Sequence, residues 1–220
     1  YAEVLIAHHD RAAAITEEYR ALRTSLLAGF HTGHLCQLVT SSVVEEGKTV
    51  TCLNLALIMT ELLGKGTIIV DCDLQKGKIA DLLGTPLEPG MVDLLRGTKS
   101  LHECIQPTCY QNLFFLPAGK AKRSEIGELV ARPELELVLA ELRREYDHVL
   151  LDGPPVNQVS DATLIGSAAG SALLVVRMEK TPREYVDRAI RLLHGANVEI
   201  AGIVLTHCKY ERQSYRYRYA

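Results

Sequence analysis

Long apolar runs are missing from this chain. The longest, Leu53–Met59 and Ala172–Val176, are short and interrupted, far below the roughly 20 residues that a membrane-spanning helix needs. An excess of positive charge is missing too. The formal net charge is -3, so no overall basic field recommends nucleic acid as a partner. No signal-peptide pattern opens the sequence, which starts at Tyr1 without Met; we read it as an excised part of something longer. No second cysteine pair follows Cys104 and Cys109, which lie near His102. A zinc site is therefore set aside in favour of free thiols in a reducing cytoplasm. The other cysteines are Cys36, Cys52, Cys72 and Cys208; the first three fall within or directly at the end of expected strands or helices, spaced like small core residues.

What is present is a globular mixture. Hydrophobic residues make up 47% and charged residues 23% of 220 residues, which suits one compact domain with a sizeable core and no global disorder. Branched, apolar stretches predict strands at Leu35–Thr40, Thr67–Asp71, Leu113–Pro117, His148–Asp152, Ala172–Arg177 and Ile200–His207. Helical patterns lie among them at Lys48–Leu63, Ile79–Leu83, Val92–Arg96, Pro133–Glu145, Asp161–Ala168 and Pro182–His194. An earlier amphipathic helix is expected over Thr16–Phe30, with Ile15, Tyr19, Leu22 and Leu26 on one stripe. Near-continuous apolar strands alternating with helices predict an α/β fold, a mostly parallel sheet covered on both faces. No repeat interrupts the pattern, so residues 1–207 read as one domain and 208–220 as a flexible tail.

Between the first strand and the next helix stands Ser42-Val43-Val44-Glu45-Glu46-Gly47-Lys48-Thr49, with Val50 beginning the apolar helix. A strand, a tight loop ending Gly-Lys-Thr and a helix form a phosphate cradle. Loop amides and the positive helix end face phosphates, Lys48 reaches the terminal ones, and the Thr49 hydroxyl can hold magnesium. The second strand ends in Asp71-Cys72-Asp73, and a later one ends in Asp152 before Gly153-Pro154-Pro155. A strand-end Asp can simply cap a turn. Three of them opposite a phosphate loop make a magnesium site, since that ion takes oxygen ligands and keeps several waters.

These motifs, in this order, resemble the bacterial tyrosine kinases (BY-kinases) of capsule and exopolysaccharide export. The likeness runs from Glu17-x-x-Arg20-x-x-Arg23 through Thr40-Ser41, the Gly47-Lys48-Thr49 loop and Val70–Leu74. It continues through Gly90 to Leu95, Leu116–Gly119, Tyr146–Pro155 and Ser160–Ala162, to the tyrosine cluster Tyr210, Tyr215, Tyr217 and Tyr219. The resemblance implies a P-loop NTPase-like domain that uses ATP and Mg2+ to phosphorylate protein tyrosine. Under it Lys48 neutralises the β- and γ-phosphates, Thr49 and Asp73 hold the metal, Asp152 binds it through water, and Asp71 assists as base. The four terminal tyrosines become acceptors for a neighbouring subunit, and Glu17, Arg20 and Arg23 become contacts in a ring or dimer. It further implies a membrane-embedded chain-length regulator as activator, placing the chain in the cytoplasm at the inner membrane face.

Those roles agree with elementary chemistry. Phosphoryl transfer needs positioning and charge neutralisation above all, and a phenol with an ordinary pKa near ~10 needs a base nearby. On general grounds Glu17, Arg20 and Arg23 are a solvated helix face, and the tail is a basic-aromatic end. Some positions depart from the family pattern. Ser42 stands where a general P-loop has Gly, Val44 replaces a common Pro, and Gln75 stands where the family usually has Arg. The usual Pro-Asn-Pro before Glu-Leu is replaced around Lys122–Gly127. Two other functions share the fold: a non-kinase ATPase switch, whose relatives carry an extra lysine absent from Ser42-Val43-Val44, and a nucleotide-binding scaffold.

Overall fold

The computed structural model describes residues 1–29 and 35–208. After α1 (Ile6–His9) and α2 (Ala14–Gly29) come β1 (Leu35–Ser41), α3 (Lys48–Met59), β2 (Thr67–Asp71), α4 (Lys78–Leu83), α5 (Met91–Leu95) and α6 (Leu101–Cys104). The chain continues through β3 (Gln106–Pro107), β4 (Leu113–Leu116), α7 (Arg123–Val130), α8 (Glu134–Glu145) and β5 (His148–Asp152). It closes with α9 (Asp161–Ala169), β6 (Ser171–Arg177), α10 (Arg183–Gly195) and β7 (Glu199–Thr206). The strands form one sheet in the order β3-β4-β2-β5-β1-β6-β7. All neighbours run parallel except the short β3, which pairs antiparallel with β4.

Every residue of β1, β2 and β5 is buried. That is the signature of a parallel sheet with helices on both faces, where the two sides of each strand need apolar partners. Alternation along each strand sends side chains to two cores. Leu38, Val70, Leu116 and Leu151 pack under α5, α7, α8, α9 and α10. Val39, Ile69, Phe115 and Leu150 pack under α1, α2, α3 and α4.

Helix α2 reaches its core through Leu26, with Tyr19 and Leu22 half-buried against it. Ile15 departs from the expected stripe and is 50% exposed. Thr16 takes the inward place, its hydroxyl donating to the Asp10 carbonyl at 2.8 Å, so the first turn is seated on a polar contact. Four short elements lie outside the strands and helices expected from the sequence: α1, α6, α7 and β3. Cys36, Cys52, Cys72 and Cys104 are buried as free thiols, while Cys109 and Cys208 are exposed, so Cys104 and Cys109 do not face a common site. Among the described residues no helix is long and apolar enough to cross a membrane.

Register brings the strand ends level. Asp71 of β2 and Val39 of β1 both stand opposite Asp152 of β5. The carboxyl ends of three adjacent central strands therefore share one edge, the place where open α/β sheets bind ligands.

Candidate active site

Beyond that edge β1 runs into the loop 42–47, and α3 starts at Lys48. Two residues of the loop take the left-handed conformation, Glu45 at φ 61° and Gly47 at φ 92°. Glycine carries the second without a Cβ penalty; Glu45 adopts it at a cost that surrounding contacts must hold. The first turn of α3 thus points its free amides and positive end into the crevice.

Lys48 and Thr49 meet the aspartates there. The Lys48 ammonium lies 3.1 Å from Asp73 Oδ2 and 3.4 Å from Asp152 Oδ1. The Thr49 hydroxyl donates to Asp152 Oδ2 at 2.7 Å. Asp71 is fully buried just behind, accepting the amides of Asp73 at 3.2 Å and Ile79 at 3.0 Å. The crevice floor is closed by backbone bonds that sequence reasoning did not foresee. Gly153 N–H donates to the Val39 carbonyl at 3.0 Å, and Val156 N–H to Ser41 at 2.8 Å. The Thr40 hydroxyl donates to the Pro154 carbonyl at 2.6 Å. The Gly-Pro-Pro turn is therefore zipped along the exit of β1.

Electrostatics follow from burial and proximity. Burial alone would depress the Lys48 ammonium, but Asp152 and Asp73 outweigh it and hold Lys48 above the ordinary lysine value. Burial, with Asp152 close by, pushes the Asp71 carboxyl well above the usual carboxylate range.

The predicted loop residues divide. The Ser42 hydroxyl is buried with no hydrogen-bond partner among the described residues. The Val43 amide is committed to Glu46 Oε2 at 2.7 Å, and the Glu46 side chain turns inward, 1% exposed. Inward packing of an acidic loop residue beside Gly47 leaves no periodic trace in sequence. The Glu45 side chain points outward and pairs with Lys180 at 3.6 Å. Val44 is half-buried at the loop's tip, and Val50 is half-buried in the first turn of α3.

Glu17, Arg20 and Arg23 do come together, but around an acid of their own chain. Arg20 Nη2 and Arg23 Nη1 lie 2.6 and 3.0 Å from the Glu61 carboxylate, and Arg20 also pairs with Glu17. Arg23 donates as well to the Ile58 carbonyl at 2.7 Å. This cluster sits past the far end of α3, roughly 18 Å along its axis from Lys48. Tyr210, Tyr215, Tyr217 and Tyr219 lie outside the described residues. Gln75 and Lys76 are exposed in the turn after Asp73.

The groups suit a hard cation beside phosphate: one hydroxyl and two carboxylates offer oxygens to the metal, and the ammonium at the helix N-terminus suits the phosphate. Among the described residues no three His, Cys, Asp or Glu side chains converge to hold a metal by themselves. Magnesium does not ask for that, since it is bound by one or two carboxylates together with phosphate oxygens and waters.

Comparison with known proteins agrees with this geometry. The family model described as an AAA domain matches residues 45–194. The tyrosine-protein kinase wzc of Salmonella typhimurium is 30% identical over 190 residues, covering 86% of this chain and 26% of that protein. The chain thus spans about a quarter of that relative's length. The solved kinase domain of the Escherichia coli tyrosine kinase ETK superposes with a TM-score of 0.88 at 28% identity, over 98% of this chain and 84% of that one. The BceF tyrosine kinase domain gives a TM-score of 0.82 at 30% identity, over 91% and 81%. With its phosphate loop, level strand-end aspartates and these likenesses, the chain belongs to the AAA domain family and, within it, to the bacterial tyrosine kinase (BY-kinase) domains.

Proposed function

We propose that the chain is an ATP- and Mg2+-dependent protein-tyrosine autokinase that phosphorylates the terminal tyrosines of a neighbouring copy. The observation that carries the reading is the Lys48 ammonium set between Asp73 and Asp152, with Thr49 bonded to the latter. Lys48 neutralises the β- and γ-phosphates of ATP from the first turn of α3. Thr49 and Asp73 are the residues that would hold Mg2+, with Asp152 reaching it through water. When bound, the metal spreads the negative charge that builds on the transferred phosphoryl group. Asp71, whose raised proton affinity suits a base, takes the proton of the attacking phenol.

Tyr210, Tyr215, Tyr217 and Tyr219 are the acceptors in this account. Adding phosphate turns a mildly basic segment anionic, which repels neighbouring segments and opens an assembly. Glu17, Arg20 and Arg23 contribute to the contact between copies, in a ring or a dimer. A membrane chain-length regulator serves as activator. Membrane contact is then made only through that partner, from the cytoplasmic side. The output is control of exopolysaccharide or capsule polymerisation and export.

A mixing experiment tests the reading. Lys48→Met with its tail intact is combined with a chain truncated after Lys209, then supplied with ATP and Mg2+. Phosphotyrosine on the Lys48→Met chain is expected; label on neither chain, while nucleotide still binds, would sink transfer between copies. The exposed Gln75 supports a second reading, a nucleotide-binding scaffold or ATPase switch. A neutral amide there removes the fixed guanidinium beside the phosphates that the kinase family usually has.

A further inference from the structure

Resting on the reading that residues 42–49 hold a nucleotide, we infer that Glu46 is a positioning residue whose buried carboxylate straps the phosphate loop to the ends of β6 and β7. Its Oε2 accepts the Val43 amide at 2.7 Å, closing the loop on itself. Its Oε1 accepts the Arg177 amide at 3.2 Å, from the last residue of β6, and the Thr181 hydroxyl, from the β6–α10 connection. Its backbone carbonyl accepts the Thr206 hydroxyl at 2.8 Å, and the Thr206 methyl lies 3.5 Å from where a Cβ on Gly47 would stand.

A carboxylate 1% exposed with no ion pair among the described residues is expensive to bury unless its oxygens are hydrogen-bonded. Glu46 meets that condition with three donors drawn from two parts of the chain. The arrangement holds a loop that would otherwise relax. Its immediate neighbours Glu45 and Gly47 both have positive φ; at Glu45, which has a Cβ, that backbone is strained and persists only where its surroundings over-determine it. With Glu46 tied inward, the amides from Gly47 onward stay aimed at the crevice. Nucleotide affinity therefore depends on Thr181 and Thr206, which belong to neither the loop nor the aspartate set.

The test is binding of ADP with magnesium, measured by calorimetry on the full chain. Thr181→Val keeps the shape and removes a donor to Glu46; it should weaken binding about fivefold. Thr181→Ser keeps the hydroxyl and should bind like the parent. Glu46→Gln should weaken binding at least as much, because either orientation of the amide points its nitrogen at a backbone N–H. Should Thr181→Val not fold, Thr206→Val against Thr206→Ser makes the same comparison. Parent-like affinity in the Val variant, or equal loss in the Ser variant, would overturn the assignment. Because the readout is binding, a chain that binds ADP but labels no tyrosine would count against the kinase reading and leave this test intact.

Discussion

The Thr49 hydroxyl donates to Asp152 Oδ2 across 2.7 Å, so the first turn of α3 and the tip of β5 hold one another. Asp152 is 1% exposed, and a hydrogen bond to a buried charge contributes about 1.5–3 kcal/mol. Thr49→Val should cost that much in urea-induced unfolding and abolish the magnesium dependence of nucleotide affinity. Thr49→Ser should retain most of both.

Lys48 is the only cation paired with the aspartate cluster among the described residues. Its pKa is raised, so its contribution to stability is fully present at neutral pH and disappears only as pH climbs beyond the ordinary lysine range. Lys48→Met leaves the buried carboxylates of Asp73 and Asp152 without their cation, a loss of about 3–5 kcal/mol at pH 8. Asp71 is lifted above the ordinary carboxylate range, so the folded form takes up a proton first as pH falls. Stability of Lys48→Met should accordingly rise between pH 8 and pH 5.5, measured by unfolding at each pH, where the parent should change less.

Gly90 packs directly on backbone. A Cβ there would stand 2.4 Å from the Pro117 carbonyl oxygen and 2.6 Å from the Gly119 nitrogen, while Met91 N–H donates to that same carbonyl at 2.7 Å. Neither neighbour is a flexible side chain. Gly90→Ala should push α5 off the end of β4 and lower stability by about 1–3 kcal/mol, read from thermal or urea unfolding without nucleotide.

Much of this was legible in the amino-acid sequence. Thr67–Asp71 and His148–Asp152 are strands with the expected bounds, because buried parallel strands leave unbroken apolar runs. Lys48, Thr49, Asp73 and Asp152 converge because the motifs fall at strand ends whose register is level. What stayed hidden is held by distant pairing. Glu61 lies 41 residues from the Arg20 it binds, and Thr206 lies 160 residues from Glu46. Charge and hydroxyl positions carry no period that announces such partners. Helices α1 and α6 span four residues each, too few turns to show one, and α7 occupies the stretch where the family's usual Pro-Asn-Pro is absent.

Gln75 is exposed in the turn that follows Asp73. A guanidinium there adds a planar, fixed charge near the phosphates that neither Gln75 nor the neighbouring Lys76 supplies. Gln75→Arg should raise the rate of tyrosine labelling with little change in melting temperature. An unchanged rate would mean that this position does not reach the transferred group.

The most direct measurement is transfer of label from γ-labelled ATP to tyrosine by the purified chain, with and without Mg2+. Phosphotyrosine should appear only with magnesium present, and should be lost in Lys48→Met and on truncation after Lys209. Tight nucleotide binding with no labelled tyrosine, even after adding the cytoplasmic segment of a membrane regulator, would contradict it.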